Sequence, residues 1–332
     1  MKLKNKLVYT LAVLTLPLAA TVSPADTVQV LQTFDYPGIG NSTLPQKISD
    51  QGDIVGTVYQ GSGVVGGFFF KPRDQRFSDR PYTAPNDTGN PTQGRGINNL
   101  RHTCGEYLNP SDGHYHGYLL EHPVYFTFDV SGALDTIPLG INNAGDFVGT
   151  AIFSDGTQPG FLSLGGVVTT FAVPGASATF AYQLNKGSQI IGYYRDANGV
   201  SHGYIRDHRG NLTFPLDVPG STGTFLLGNN DSNWGVGRYT DAAGLTHGLF
   251  FTTTANLQTF DYPGSTYTAL TGINKGGFIS GYYLDAAGVA HGIWAKLNIG
   301  GANQPDTNVQ LSPVKPAYPL PEMLSIGTMP AL

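Results

Sequence analysis

Short apolar runs separated by polar turns rich in Gly, Asn and Asp recur along nearly the whole chain. In one clear stretch, apolar runs at 179–184 and 190–194 flank a turn that begins at Asn185, and a third run begins after His202. Runs of this length predict β-strands joined by hairpins, because Asn tolerates left-handed φ and bonds its own backbone. A fourth run at 212–216 completes a unit of four strands, which we name A to D.

This unit recurs six times, with its A–B turn at spacings of 43 to 49 residues. The turn residues are Ser49, Asn98, Asn142, Asn185, Asn230 and Asn274. In four units a histidine precedes the first glycine of strand C: His116, His202, His247 and His291. Four strands per unit at this period predict an all-β fold, a six-bladed β-propeller of four-stranded blades.

The two ends of the chain complement each other. The segment Val28–Pro37 closes with Leu-Gln-Thr-Phe-Asp-Tyr-Pro, as does the D-strand segment that ends at Pro263. The last unit stops after its C strand, His291–Leu297, and has no D strand of its own. We therefore predict that Val28–Asp35 supplies the missing strand, which would close the ring and remove its exposed sheet edges.

The first 25 residues have the features of a secretory signal peptide. Three lysines precede an apolar run at 7–20, and small residues at 23 and 25 fit a cleavage site. Because the run is shorter than the roughly 20 residues of a membrane-spanning helix, we expect cleavage, export and no membrane span in the mature protein. The predicted organisation is a signal peptide at 1–25, a propeller at 26–298 and an irregular Gly- and Pro-rich tail at 299–332.

Composition narrows the class of partner. Charged residues make up 12% of the chain, whose net charge is −5, and only 18 residues are Lys or Arg, so we expect no nucleic-acid partner. Gly numbers 45, and Tyr and Phe 18 each, as expected for many short strands joined by tight turns. Cys104 is the single cysteine, which excludes an internal disulfide. It aligns with apolar strand residues, so we predict a buried core position.

The repeat resembles a known family. Units of the form Gly-Ile-Asn-x-x-Gly-x-Ile-Val-Gly-x-Tyr, followed by Asp-x-x-Gly-x-x-His-Gly-Phe, are similar to the bacterial extracellular repeats called HAF. The resemblance covers Phe34 to Ile293. It implies the repeat architecture and export, and it implies no particular activity. The chain ends without the sorting helix found in many such proteins, so the expected location is secreted or periplasmic.

The repeated histidines raise the question of chemistry. Three of them follow an aspartate by six residues, and a carboxylate beside an imidazole occurs in acid–base and metal sites. A motif present in most units usually serves the unit itself, however. We therefore predict that each histidine makes a hydrogen bond that fixes the B–C hairpin. No metal or cofactor motif is present in the sequence, and we expect neither a metal nor a cofactor.

The second unit, 73–129, departs furthest from the repeat. It contains a long loop at 82–95, five arginines and four of the eight histidines, and its D strand fits either 125–129 or 133–137. Within this unit Arg95, Glu106 and His114 are the candidate catalytic residues, because such a group could perform acid–base chemistry or bind an anionic sugar. The alternative is a surface insertion with ordinary ion pairs.

Aromatic residues at the ends of the B strands, with one repeat histidine, are the candidate ligand-binding residues: Tyr107, His116, Tyr194, Tyr239 and Tyr283. Tyrosine offers a sugar ring a flat apolar face with a polar tip, although core packing accounts for many tyrosines. Three functions stay open. We favour a secreted module that binds an extracellular polysaccharide or a surface protein, with carbohydrate binding expected at the face that holds the D–A and B–C loops. The alternatives are a polysaccharide hydrolase or lyase with its site in the second unit, and a structural matrix protein.

Overall fold

The predicted six-bladed β-propeller is confirmed in the computed structural model, which describes residues 25–37, 42–77, 92–121 and 123–301. Six four-stranded antiparallel sheets, the blades, are arranged in a ring. Nearly all of the predicted signal peptide, most of the loop at 82–95 and the tail from 302 onward lie outside the described residues. Within the described part of the chain, no helix has the length and apolar character needed to cross a membrane.

The strands follow the repeat. Blade 1 contains β2 (Ser42–Ile48), β3 (Ile54–Gln60), β4 (Gly63–Lys71) and β5 (Arg76–Phe77). Blade 2 contains β6 (Thr92–Ile97), β7 (Thr103–Asn109), β8 (His114–Glu121) and β9 (Val124–Phe128). Blade 3 contains β10 (Ala133–Ile141), β11 (Phe147–Phe153), β12 (Gly160–Leu164) and β13 (Val167–Phe171). Blade 4 contains β14 (Ala178–Leu184), β15 (Ile190–Arg195), β16 (Ser201–Arg206) and β17 (Leu212–Leu216). Blade 5 contains β18 (Gly223–Asn229), β19 (Gly235–Thr240), β20 (Thr246–Phe251) and β21 (Gln258–Phe260). Blade 6 contains β22 (Thr268–Ile273), β23 (Phe278–Leu284), β24 (Ala290–Asn298) and β1 (Thr27–Phe34).

The outer strand of blade 6 comes from the start of the chain. Strand β1 pairs antiparallel with β24, with Val28 opposite Leu297 and Phe34 opposite Gly292. Phe34 is 3% exposed and packs against Trp294 in one of the hydrophobic clusters. The two ends of the described propeller are therefore held in one sheet.

Two assignments in the second repeat are resolved. Strand β9 is the D strand of blade 2, and the segment from Ala133 begins strand A of blade 3. Arg73 and Arg76, which the sequence analysis grouped with the second unit, belong instead to blade 1. There the chain turns at Gln75, whose φ is 50°, and Arg76 pairs with Lys71 at the edge of the sheet.

Every A strand contains a β-bulge at the same position. In each A–B pair the A-strand residue at this position has no partner, and these residues are Gln46, Arg95, Leu139, Tyr182, Leu227 and Thr271. A bulge re-aims the side chain of the extra residue. Strand A is the innermost strand, so this position determines what is placed near the axis of the ring.

In five blades a threonine near the start of strand A holds the preceding D–A linker. In five blades its hydroxyl accepts a hydrogen bond from a backbone N–H in the preceding D–A linker, at 2.9 to 3.2 Å. The threonines are Thr43, Thr136, Thr179, Thr224 and Thr268. This contact explains a repeated residue that the sequence analysis did not use.

The Asn turns hold their own backbone, as predicted, and also join neighbouring blades. Asn98 Oδ1 accepts hydrogen bonds from the N–H groups of Leu100 and His102, both at 3.0 Å. Its Nδ2 donates to the carbonyl of Asn142 in blade 3 at 3.1 Å. Equivalent bonds link blade 4 to 5, 5 to 6 and 6 to 1. The six turns surround an axial cavity of about 60 Å³.

Candidate functional site

The two faces of the ring differ in the loops they carry. The A–B turns form one face, which we call the turn face. Strands A begin and strands B end at the opposite face, together with the D–A linkers and B–C turns, and we call it the loop face. Most of the residues predicted for function lie toward this loop face.

In four blades the repeat histidine lies between two aspartates. In blade 5 His247 Nδ1 lies 2.9 Å from Asp261 Oδ1, and its Nε2 lies 3.3 Å from Asp241 Oδ2. Tyr239 stacks on the imidazole with ring centroids 4.9 Å apart. Burial lowers and the two aspartates raise the pKa of His247, with a net increase. Its side chain therefore joins the B–C turn to the end of strand D, through hydrogen bonds of the predicted kind.

The same arrangement recurs in three other blades. The imidazoles of His116, His202 and His291 bond the D-end aspartates Asp129, Asp217 and Asp35 at 2.7 to 2.9 Å. These aspartates were not among the residues predicted from the sequence. A signal was present, because the D-end aspartate accompanies the histidine in four units and both are replaced in the third, by Pro159 and Ala172.

The five candidate ligand-binding residues do not come together. Tyr107, Tyr194, Tyr239 and Tyr283 each stack on the histidine of their own blade, at centroid distances of 4.9 to 5.7 Å, and His116 is one of those histidines. The rings are thus distributed over four blades as part of the His–Asp units. In this structure each of the four tyrosines packs on the histidine of its own blade and does not face a shared site.

Of the three candidate catalytic residues, two meet. Arg95 Nη2 donates to Glu106 Oε1 at 2.6 Å, and Arg95 Nε lies 3.0 and 3.1 Å from the two carboxylate oxygens. Opposed residues share a face of a sheet and successive residues alternate. Glu106 faces Gly117 across the β7–β8 pair, so His114 projects from the other face, where its ring lies 3.3 Å from Asp135.

The Arg95–Glu106 ion pair is buried. Glu106 has no exposed surface and Arg95 is 9% exposed. Arg95 also donates to Gln93 Oε1 at 2.9 Å, and the Tyr59 hydroxyl of blade 1 donates to the same oxygen at 2.9 Å. Attraction to Glu106 outweighs burial and raises the pKa of Arg95. Both oxygens of Glu106 accept hydrogen bonds from Arg95. The guanidinium therefore compensates the negative charge of this carboxylate.

A second arginine approaches the axis from blade 5. The Arg238 guanidinium carbon lies 3.8 Å from the ring centroid of Phe225 and 5.8 Å from that of Tyr267. The Tyr267 hydroxyl lies 3.3 Å from that of Tyr282, and both tyrosines belong to blade 6. Tyr193 of blade 4 packs against Phe225 with centroids 4.8 Å apart. Aromatic side chains from three blades therefore surround this guanidinium.

Tyr182, on the bulge of blade 4, completes the group. Burial raises the pKa of its hydroxyl, while the charges of Arg95 and Arg238 oppose that increase, so the hydroxyl is within electrostatic reach of both arginines. We use the name axial cluster for these residues from five blades: Tyr59, Gln93, Arg95, Glu106, Tyr182, Tyr193, Phe225, Arg238, Tyr267 and Tyr282.

Lys47 crosses the axis on the turn-face side of the axial cluster. Its Nζ donates to the carbonyls of Leu227 at 2.5 Å and Thr271 at 3.2 Å, in blades 5 and 6, and lies 5.3 Å from the Tyr182 ring. It forms no ion pair with any described residue. Burial lowers the pKa of Lys47 to about 7.

Cys104 is fully buried, as predicted, and does not contribute a reactive thiol. It has no exposed surface, and burial raises the pKa of the thiol to about 12. Within the described part of the chain, no group of three or more His, Cys, Asp or Glu side chains is placed to hold a metal ion.

Comparisons with known proteins identify the fold. No protein-family model and no characterised protein sequence matches the chain. Among solved structures, a point mutant of Aleuria aurantia lectin in complex with Fucα1-6GlcNAc superposes with a TM-score of 0.51 at 9% identity, covering 78% of this chain and 94% of that one. AofleA from Arthrobotrys oligospora gives a TM-score of 0.51 at 11% identity, covering 82% and 89%.

A sialidase also shares the architecture. The Hadza microbial sialidase Hz136 superposes with a TM-score of 0.50 at 10% identity, covering 77% of this chain. The present chain spans 65% of the sialidase, which is less than two thirds of its length. At identities near 10% these similarities show the propeller fold alone.

Proposed function

We propose that this protein is an exported β-propeller that binds carbohydrate in the axial cluster. One observation carries the proposal. The Arg238 guanidinium and the Tyr182 hydroxyl have no hydrogen-bond partner among the described residues, yet neither is sealed from solvent. Free donors beside aromatic faces are what a sugar ring requires, because its hydroxyl groups accept hydrogen bonds and its C–H faces pack on aromatic rings.

The fold is compatible with this ligand class. Aleuria aurantia lectin, solved in complex with Fucα1-6GlcNAc, has the same architecture, although its identity to this chain is only 9%. Export through residues 1–25 and the HAF-like repeat favour an extracellular polysaccharide as the partner. A surface protein is the alternative partner, and it would show no dependence on the axial cluster.

A hydrolase or lyase is the second function to weigh, because Arg95 and Glu106 do meet. A general acid must reach the glycosidic oxygen of its substrate. Glu106 has no exposed surface, and Arg95 occupies both of its carboxylate oxygens. The geometry of this pair favours a role in shaping the cluster, and hence binding over hydrolysis.

The test is retention on polysaccharides. The exported protein is passed over a panel of immobilised and insoluble polysaccharides, and the supernatant is assayed for released sugars. We expect retention without release, and about fivefold weaker retention for Tyr182→Phe, which removes one hydroxyl. Tyr239→Phe is the matched control, since it removes a hydroxyl from a His–Asp unit and should bind like the unmodified protein.

Each other outcome is informative. Released sugars would make the protein an enzyme. Loss of retention in Tyr239→Phe but not in Tyr182→Phe would move the site to the blade tyrosines. A protein that none of the polysaccharides retains would contradict the carbohydrate proposal.

A further inference from the structure

Arg238 is a cation without a counter-ion among the described residues. It lies on strand B of blade 5, at the position that Glu106 occupies in blade 2. Its charge interacts with Tyr182, Tyr193, Tyr267 and Tyr282, and no described carboxylate lies within ion-pair distance of it. A largely buried charge without a partner is costly, and folded proteins usually pair such a group or use it for a ligand.

The charges of the axial cluster do not balance. Arg95 and Arg238 contribute two positive charges, and Glu106 contributes the single negative one. Both Glu106 oxygens are taken by Arg95, at 2.6 to 3.1 Å, so this carboxylate cannot serve Arg238 as well. Lys47, on the turn-face side, adds a further base and no negative charge. The charged groups of the axial cluster around Arg238 therefore carry a net positive charge.

The packing of Arg238 leaves its donors free. With the guanidinium carbon 3.8 Å from the Phe225 centroid, the planar group lies against the aromatic ring. An arginine that packs in this way keeps its N–H groups in the plane of the guanidinium, where they can reach a ligand. A planar carboxylate matches this edge with two parallel hydrogen bonds. Arg95 offers no such edge, because Glu106 and Gln93 occupy it.

We propose that Arg238 binds the carboxylate of an acidic sugar, a hexuronate residue of a polysaccharide, with the sugar ring against Tyr182 and Tyr267. This inference rests on the proposed function and names the ligand class of the same site. The carboxylate supplies the negative charge that the described residues lack around Arg238. The sugar hydroxyls supply acceptors for the free Tyr182 hydroxyl.

The experiment measures retention of the exported full chain on polygalacturonate at fixed ionic strength. Fully methyl-esterified polygalacturonate, which has the same sugar without the charge, is the neutral comparison, and dextran sulfate is the sulfated one. We expect binding to polygalacturonate, at least about tenfold weaker binding to the ester, and a similar loss in Arg238→Gln. Arg238→Lys should recover only part of the binding, because a lysine keeps the charge and lacks the planar fork.

Arg206→Gln is the matched control. It removes a guanidinium that lies over the ring of Phe171, with its carbon 4.9 Å from the centroid, in strand C of blade 4 and away from the axial cluster. Arg206→Gln should bind polygalacturonate as strongly as the unmodified protein does. Melting curves of both Gln variants are recorded to check that they are folded. An equal loss of binding in Arg238→Gln and Arg206→Gln would indicate nonspecific charge attraction and overturn the inference.

The remaining outcomes separate this inference from the proposed function. Binding to the ester and to polygalacturonate with equal strength, unchanged in Arg238→Gln, would refute the uronate site while leaving a carbohydrate-binding protein. Stronger binding to dextran sulfate than to polygalacturonate would refute the carboxylate assignment. If no polysaccharide is retained, both proposals fail.

Discussion

His291 and Asp35 are joined by a hydrogen bond of 2.9 Å, Nδ1 to Oδ1, although 256 residues separate them in the chain. In the other blades with this motif the histidine and its D-end aspartate are 13 to 15 residues apart. Blade 6 thus repeats a local contact with residues from opposite ends of the propeller. The histidine unit, which occurs in four blades, here also joins the two ends of the propeller.

Deleting Val28–Asp35 should destabilise the whole propeller. The deletion removes β1, leaves one edge of β24 unpaired and uncovers Trp294 and Leu297. Loss of the buried Phe34 and its apolar neighbours should cost about 5 kcal/mol or more. Thermal unfolding followed by circular dichroism is the measurement, and an unchanged melting curve would show that β1 is dispensable.

The contribution of the His–Asp units to stability should be greatest in mildly acidic solution. The pKa of His116, His247 and His291 is raised in the folded state, so their stabilising effect is complete below the ordinary histidine pKa of 6.5 and disappears as the pH rises through the folded pKa. The aspartates of the B–C turns, Asp241 among them, have lowered pKa values. Their effect is complete above the ordinary aspartate pKa of 3.8 and is lost as the pH falls further.

Denaturant unfolding between pH 3 and 9 measures this profile. His247→Gln should gain stability relative to the unmodified protein as the pH rises through the folded histidine pKa, because it lacks the contribution that the histidine loses there. His208→Gln, at an exposed position in the C–D turn, is the control. A profile of His247→Gln that is parallel to that of the unmodified protein would argue against the His–Asp units as its cause.

Breaking the Arg95–Glu106 pair should be strongly destabilising. Glu106→Gln or Arg95→Met leaves one buried group without its partner, which typically costs about 3–5 kcal/mol. The double variant Arg95→Met with Glu106→Gln should lose less than the sum of the two single losses, because the two residues interact. Urea unfolding of all three proteins tests this. Single variants of unchanged stability would return both residues to the list of candidates for catalysis.

Lys47 should make stability rise with pH above neutrality. Its pKa is about 7 in the folded protein and 10.5 ordinarily, so between these values the unfolded chain binds the additional proton and stability increases as the pH rises. Lys47→Met removes this contribution and also the two hydrogen bonds to Leu227 and Thr271. The measurement is the difference in unfolding free energy between the two proteins.

Between pH 6 and pH 9 the unfolding free energy of the unmodified protein should rise relative to that of Lys47→Met. Taking the difference cancels the histidine contribution, which both proteins share. A difference that does not vary with pH would mean that Lys47 titrates normally, or that the amine is not desolvated.

The repeating structure of the blades could be predicted from the sequence, whereas the contacts of the axial cluster could not. The spacing of Asn98, Asn142 and their equivalents predicted the number of blades, and the histidines make hydrogen bonds of the predicted kind, because both are properties of one repeating unit. The axial cluster is different, since Tyr182 and Arg238 belong to separate blades and meet only after ring closure. Their approach depends on the bulge in strand A, for which no local sequence signal was recognised.

Strand register explains the error over His114. Its spacing from Glu106 allowed either the same face of blade 2 or the opposite one, and only the pairing of Glu106 with Gly117 decides the question. The D-end aspartates could have been found from sequence. Asp217 and Asp261 occur in units that contain the repeat histidine, whereas Ala172 occurs in a unit that lacks it.

The bonds between the A–B turns also determine where the ring can open. Among the described turns, each neighbouring pair shares at least one side-chain hydrogen bond except those of blades 3 and 4, where Asn142 turns back to its own Asp146. Beside these two turns the blades are joined by a long bond, 3.5 Å, from Gln183 Nε2 to the carbonyl of Ile141. In a closed ring, opening fluctuations should be largest between the two blades whose turns are least strongly bonded to each other. Among the A–B turns, amide hydrogen exchange should therefore be fastest at those that begin at Asn142 and Asn185, and transient widening of the axial cavity should start between them.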